Sequence, residues 1–182
     1  GNLIHTAIFP IGSGHITSDI AILLKTDIDT AEKIKLEFGF CKSLSKSSSK
    51  KKIKITGEEP LEFSQKMLVD IVGARVSEIF AIANKELKKI SRQGVLPAGV
   101  VLTGGGAKMP GIKDLAKKEL KLPCRIGVSQ VFSSFQDDPS LSTLYGLVLE
   151  GVDSEEEEEG NFPGFWKRIA EKFKKLLRVF KP

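Results

Sequence analysis

Two short stretches of this 182-residue chain carry residue types at spacings that could do chemistry. The first is Val100-Val101-Leu102-Thr103-Gly104-Gly105-Gly106-Ala107-Lys108-Met109-Pro110-Gly111. An apolar run ending in three glycines predicts a strand whose carboxyl end opens into backbone N–H groups with no side chains over them. Glycine suits that place because it reaches positive φ and permits close approach. The carboxyl ends of strands are where α/β sheets take ligands, and a helix predicted from Ile112 to Leu120 adds its positive N-terminal end. A tight turn without a ligand would have the same sequence, and the run is not a Walker A loop, because no Gly-Lys-Ser/Thr follows. The second stretch is Ala31-Glu32-Lys33-Ile34-Lys35-Leu36-Glu37-Phe38-Gly39. Glu32 and Lys35, three apart, share a helix face. Such a pair offers an acceptor to ribose hydroxyls and a donor to a base or phosphate; a solvated ion pair is the alternative.

The elements that must position these residues follow from periodicity and punctuation. Leu3 to Pro10 reads as a strand. Gly12-Ser13-Gly14 turns into a helix capped by Thr17 or Ser18 and running to about Lys25, and Thr30 caps a second helix, Ala31 to Phe38, closed by Gly39 at C′. The Ser/Lys-rich run from Cys41 to Lys52 predicts a solvated loop; it lacks the interleaved aromatics of a nucleic-acid patch. Ile53 to Thr56 predicts an edge strand. Pro60 to about Ile90 predicts the longest helix, with Met67, Leu68, Ile71, Val72, Val76, Ile79, Phe80, Ile82, Ala83 and Leu87 on one wide buried face. Gly99 to Thr103 predicts a strand buried on both faces, Cys124 to Val128 another strand, and Ser140 to Glu150 a further helix. The order is an α/β pattern with parallel pairing. Asp153 to Gly160, with five consecutive glutamates, predicts a linker without secondary structure.

Charge is divided unevenly. The formal net charge is +5, yet Phe162 to Pro182 holds seven cations against one anion, a net +6, which leaves −1 for the rest. A nucleic-acid reading from overall basicity therefore fails. In the tail Phe162, Phe165, Trp166, Ile169, Phe173, Leu176, Leu177 and Phe180 form one helical stripe, with Lys167, Arg168 and the other cations on its flanks. This predicts an amphipathic helix lying on an anionic membrane surface. Docking on a partner, packing in the body and nucleic-acid binding are the rivals. No stretch approaches the roughly 20 apolar residues of a membrane span, and no signal peptide is visible. Two cysteines and two histidines suggest reduced thiols and no metal cluster. A start without Met suggests a fragment or a cleaved product.

In combination, Leu3 to Pro10 with Gly12-Ser13-Gly14-His15-Ile16-Thr17-Ser18-Asp19-Ile20-Ala21, the Ala31-Glu32-xx-Lys35 helix, Arg75-Val76-Ser77-Glu78-Ile79, the Val101-Leu102-Thr103-Gly104-Gly105-Gly106 turn and the basic tail resemble the C-terminal half of the bacterial cell-division FtsA family, within the actin-like ATPases. The resemblance implies a ribonuclease-H-like α/β lobe: subdomain 2A in residues 1–24 and 97–151, subdomain 2B in 25–96, an acidic linker in 152–161 and a membrane-targeting helix in 162–182. It implies ATP with magnesium, contacted by Gly104, Gly105, Gly106, Lys108, Glu32 and Lys35, with ATPase activity weak at most and none expected of this chain alone. It implies actin-like filaments, and a tether between the cytoplasmic face of the inner membrane and the FtsZ C-terminal peptide at the division site. Arg75 and Glu78 are the expected docking face, although Arg75 could equally be a structural partner of Glu78 or of another carboxylate. The family's Asp-Gly-Gly-Gly-Thr strand and N-terminal lobe are absent from the sequence, so only part of an ATP site is expected. The alternatives are a pilus-assembly or cell-shape actin-like ATPase and, from another class, a sugar-kinase-like enzyme.

Overall fold

The computed structural model describes residues 3–41, 51–56, 60–90, 96–128 and 138–157, with 152–157 as helical backbone only. Among the described residues the α-helices and strands run in the order α1 (Ser13–Leu24), α2 (Ile28–Phe38), β1 (Lys52–Ile55), β2 (Leu61–Ser64), α3 (Gln65–Ile90), β3 (Val100–Leu102), α4 (Ile112–Leu120), β4 (Cys124–Ile126) and α5 (Ser142–Glu157). The chain divides into two units, Gly1–Thr143 and Leu144–Pro182. The membrane stripe predicted for 162–182 lies outside the described residues. No helix among the described residues is long and apolar enough to cross a membrane.

The first unit is organised around three helices. Ile16, Ile20, Ala21 and Leu24 of α1, Ala31 and Ile34 of α2, and Leu68, Ile71, Val72, Val76 and Phe80 of α3 are buried in one cluster. The α3 set recurs at steps of three and four, as its stripe predicts. Met67, on the same predicted face, is exposed. α1 packs on both α2 and α3, and α4 packs on α3 and β4. Full burial of each large aliphatic side chain contributes roughly 1.5–3 kcal/mol before entropic costs.

Helix boundaries differ from expectation where local hydrogen bonding wins. α1 begins at Ser13, not beyond Thr17, because Gly12 serves as its N-cap and donates its N–H to His15 Nδ1 at 3.2 Å. α2 begins at Ile28; Asp27 caps it by accepting from the Thr30 N–H at 2.8 Å, so the expected cap residue lies inside the first turn. Gly39 closes α2 without a left-handed turn, at φ −71°. Its requirement is space: a Cβ there would lie 2.3 Å from the Lys35 carbonyl oxygen. Lys25 adopts the left-handed conformation at the end of α1, where the Thr26 N–H bonds back to the Ala21 carbonyl at 2.9 Å in the manner of helix-terminating motifs.

Three expectations about strands change. The first residues of the predicted long helix are instead β2, paired antiparallel with β1 in the register Ile53↔Phe63. Both of those side chains face the core. Alternation within Leu-Glu-Phe-Ser holds one face inward, and α3 starts directly after it. Leu3–Pro10 forms no ladder among the described residues, and Leu3, Ile4 and Ile8 are largely exposed. A strand is held by hydrogen bonds to a neighbour, and no described strand pairs with this one. The parallel pair is present, with Val100↔Cys124 and Leu102↔Ile126. Val101, however, is 47% exposed, so β3 is covered on one face only. The acidic run is helical through Glu157 where a linker without secondary structure was expected.

Gly99 leads into β3 at φ +73°, and a Cβ there would meet the Pro123 carbonyl oxygen at 2.2 Å. That carbonyl accepts from the Val100 N–H at 2.7 Å, which leaves it no freedom to retreat. Gly99→Ala therefore combines backbone strain with a backbone clash. We expect it to lower stability by about 2 kcal/mol or more in urea denaturation, whereas Gly12→Ala, with no atom within 4 Å of a Cβ, changes far less.

Candidate functional site

The pair read from the sequence as Glu32 and Lys35 is part of a larger cluster built on two helices. Lys35 is buried, at 8% exposure. Its Nζ donates to Glu32 Oε2 at 2.6 Å, to Thr17 Oγ1 at 2.9 Å and to the Ser13 carbonyl at 3.5 Å. The Thr17 hydroxyl in turn donates to Glu32 Oε2 at 2.5 Å. One carboxylate oxygen thus takes both donors. Hydrogen bonds from Lys35 and then Thr17 hold the Glu32 carboxyl below the usual carboxylate range. Glu32 keeps its other face towards solvent, with its side chain 41% exposed, so it remains an ionised acceptor.

The glycine turn stands against the same helix end. β3 leads through Thr103 and Gly104 into a 3₁₀ turn, Gly105–Lys108. Gly104 has φ +88°, a conformation that favours glycine. The Ala107 and Met109 N–H groups bond back to Gly104 and Gly106 carbonyls at 3.0 and 3.2 Å. A Cβ on Gly106 would sit 3.7 Å from Ser13 Cβ. Ser13 therefore touches both candidates: its backbone carbonyl accepts from Lys35, and its side chain faces Gly106. Gly105 lies next to Ser140, whose Cβ is 3.9 Å from where a Gly105 Cβ would be.

A second turn holds the glycines from the other side. Gly104 N–H donates to the Pro139 carbonyl at 2.8 Å, and Thr103 Oγ1 bonds to the Gly127 and Pro139 carbonyls and to the Ser142 hydroxyl. Asp138 caps the short 3₁₀ turn Pro139–Leu141 by accepting from Ser140 N–H at 2.9 Å and from its hydroxyl at 2.7 Å. Lys108 Nζ is engaged there too, 2.9 Å from Asp138 Oδ2. With Lys108 as the largest cause and Ser140 next, the Asp138 carboxyl is lowered to about 2.

Of the predicted residues, the structure gathers Glu32, Lys35 and Gly106 around Ser13, with Gly104 and Gly105 in the same turn, and turns Lys108 towards Asp138. Arg75 and Glu78 belong to a different place. The Arg75 guanidinium grips Asp19 of α1 with two bonds, Nε to Oδ2 at 2.5 Å and Nη2 to Oδ1 at 2.7 Å, and reaches Glu78 at 2.6 Å. Asp19, and then Glu78, raise the Arg75 pKa further. Ser13 and Thr17 were read from the sequence only as turn and cap residues, and Asp19, Asp138 and Ser140 were given no site role. Thr17, a hydroxyl four residues after Ser13 amid apolar neighbours, was the available signal for the first two.

Two outcomes test this geometry. Thr17→Val leaves the buried Lys35 ammonium one partner short and should cost about 1–3 kcal/mol in denaturation, while Thr17→Ser retains most of the stability. The depressed Asp138 pKa means that its stabilisation is complete above the ordinary aspartate value and is lost as pH falls towards 2. The Asp138 carboxyl carbon should titrate near that value by NMR, and return towards an ordinary aspartate in Lys108→Met.

With this geometry in place, comparison with known proteins gives a consistent answer. The family model described as "Cell division protein FtsA" matches residues 1–146. The chain is 34% identical over 158 residues to the cell division protein FtsA of Pseudomonas aeruginosa, covering 84% of this chain and 38% of that protein. It is 32% identical over 185 residues to that of Borreliella burgdorferi, covering 98% and 41%. The chain thus spans about two fifths of the length of these curated relatives. Among solved structures, MreB5 of Spiroplasma citri bound to ADP superposes with a TM-score of 0.64 at 17% identity, over 84% of this chain and 48% of that one. The ethanolamine utilization protein EutJ of Carboxydothermus hydrogenoformans gives 0.50 at 19% identity, over 78% and 39%. These two likenesses are of fold, and the fold is that of an actin-like lobe. On the family match and the relatives' identity, the chain belongs to the FtsA family of bacterial cell-division proteins.

Proposed function

We propose that this chain is the part of a division-site adaptor that closes over the adenosine of ATP, docks the FtsZ C-terminal peptide and reaches an anionic membrane through residues 162–182. The observation that carries the nucleotide half is Ser13, which joins the Glu32–Lys35–Thr17 cluster to the glycine turn. In this reading the outward oxygen of Glu32 accepts from ribose hydroxyls. Lys35 and Thr17 hold that carboxylate ionised and in place. Gly104, Gly105 and Gly106 let phosphate oxygens approach the backbone. Lys108 serves as an anchor of the turn through Asp138, in addition to its cationic charge. Among the described residues no three His, Cys, Asp or Glu side chains form a metal-binding group. In this reading the chain contributes contacts to the nucleoside and phosphates of ATP, taken with magnesium in the complete protein.

The tether half draws on sequence and family. The tail stripe and its +6 charge fit a helix lying in an anionic headgroup layer. Linked copies in a filament would strengthen individually weak anchors through avidity. Arg75 and Glu78 remain the proposed docking face for the FtsZ peptide, with the Arg75–Asp19 grip fixing the guanidinium on the surface of α3.

Sedimentation with anionic vesicles tests the assignment in one tube. The chain should pellet with the vesicles and carry both a fluorescent ATP analogue and a labelled FtsZ C-terminal peptide. Trp166→Glu should leave all three in the supernatant. Arg75→Glu should release only the peptide, and Gly106→Val only the nucleotide, with melting curves confirming that each variant is folded. A chain that stays in solution, or pellets empty, sinks the tether.

A further inference from the structure

The hydrogen-bond inventory around Lys35 decides which groups of the cluster a ligand meets. An ammonium carries three N–H donors. Those of Lys35 have three partners inside the protein: Glu32 Oε2 at 2.6 Å, Thr17 Oγ1 at 2.9 Å and the Ser13 carbonyl at 3.5 Å. A carboxylate oxygen has about two lone-pair sites, and Glu32 Oε2 fills both. One takes the Lys35 ammonium and the other the Thr17 hydroxyl at 2.5 Å. Oε1 is therefore the oxygen that Glu32 presents to a ligand. The Glu32 side chain is 41% exposed, whereas Thr17 and Lys35 are buried behind it.

Thr17 fixes the choice between the two oxygens. Its β-branched side chain is stiff at χ1, so the hydroxyl stays where it accepts from Lys35 and donates to Glu32. Without that second donor Oε2 would keep an unfilled site. The terminal torsion of a glutamate is broad, and the carboxylate would then turn and offer either oxygen. With the donor in place, Oε1 is held outward with two diverging lone pairs. The same two bonds hold the Glu32 carboxyl below the usual carboxylate range, so it meets hydroxyls as an acceptor only. Two lone pairs on one fixed oxygen suit two adjacent hydroxyls, that is, a vicinal cis-diol. A sugar with only one of them forfeits a charge-assisted bond.

We propose that Thr17 is a positioning residue that makes the site selective for ribonucleotides over deoxyribonucleotides, by holding Glu32 Oε1 towards an intact ribose cis-diol. The inference rests on the nucleotide half of the function proposed above and adds to it a sugar selectivity and the residue that sets it. In that reading the glycine turn takes the phosphates, which both classes of nucleotide share, so discrimination falls to Glu32. A site that encloses a substrate hydroxyl rejects the analogue lacking it by roughly 10⁴-fold or more. Glu32 stands partly in water, which replaces the missing hydroxyl, so the preference expected here is smaller, about tenfold.

Titration calorimetry on the 182-residue chain, with magnesium present, compares ATP with 2′-deoxy-ATP and 3′-deoxy-ATP. ATP should bind about tenfold more tightly than either analogue. Thr17→Val should bring the three within about twofold of one another, and Thr17→Ser, which keeps the hydroxyl, should retain most of the preference. A purely structural Thr17 would weaken all three nucleotides alike and leave the ratio intact; that result overturns the proposal. So does equal binding of ATP and both analogues by the parent chain, or a loss of affinity for one analogue alone, which would mean a contact to a single hydroxyl. If melting shows Thr17→Val unfolded, Glu32→Gln carries the test. A neutral amide at the sugar should collapse the same ratio, and an unchanged ratio there counts against the proposal equally. A parent chain that binds none of the three removes the nucleotide reading itself, and this inference with it.

Discussion

A buried ammonium group sets the arrangement on which the rest of the first unit depends. Lys35 sits almost out of solvent, and a buried charge is tolerated only when it is paired and hydrogen-bonded. Its partners are Glu32 on its own helix and Thr17 and Ser13 on the preceding one. Satisfying the ammonium therefore fixes both the separation and the rotation of α2 relative to α1. The apolar contacts of Ile16, Ile20 and Ile34 supply bulk stabilisation without direction; the lysine supplies the register. Hydrogen bonds of this charge-assisted kind are worth more than neutral ones and are more demanding in geometry.

α1 is the common strut. Its first residue touches the glycine turn, its Thr17 serves the Lys35 cluster, and its Asp19 grips Arg75 of α3. Ser13 and Thr17 on one face, which together serve Lys35, and Asp19 on another, which holds Arg75, explain why that helix can be both core and scaffold. The cost of its apolar surplus shows at Ile22 and Leu23, which remain exposed at its end. The glycine turn is braced in a comparable way by Pro139 and Ser142, and its open position is Gly104, where an added Cβ would meet nothing within 4 Å.

Much of this architecture could be read from the residues, and the misreadings have physical causes. The α3 stripe and the parallel β3–β4 pair were legible because 3.6-residue periodicity and a Gly-punctuated apolar run are local signals. β2 was hidden because Leu61–Ser64 abuts α3 without a breaker, so the two periods merge. Leu3–Pro10 has the composition of a strand, yet strand identity belongs to a pair of segments and not to one. Val101 looked buried because an all-apolar run does not reveal that only one of its faces is covered. At the site, Glu32 and Lys35 were legible as a pair, while Thr17 and Ser13 were read as turn and cap residues. Asp138 was invisible because its role arises from a contact thirty residues away in sequence, with Lys108.

The acidic end of α5 has a consequence of its own. Asp153, Glu155, Glu156 and Glu157 lie in the last turns of a helix, where the macrodipole already places negative charge. Their mutual repulsion and the dipole both oppose the helix, and both are screened by salt within about 10 Å at ordinary ionic strength. The helical length of this segment is therefore a function of the surrounding electrolyte. At 1.5 Å per helical residue against more than 3 Å when extended, four or five residues changing state alter the span by several ångströms. Counter-ions gathered around these carboxylates therefore favour the helical form of the last turns.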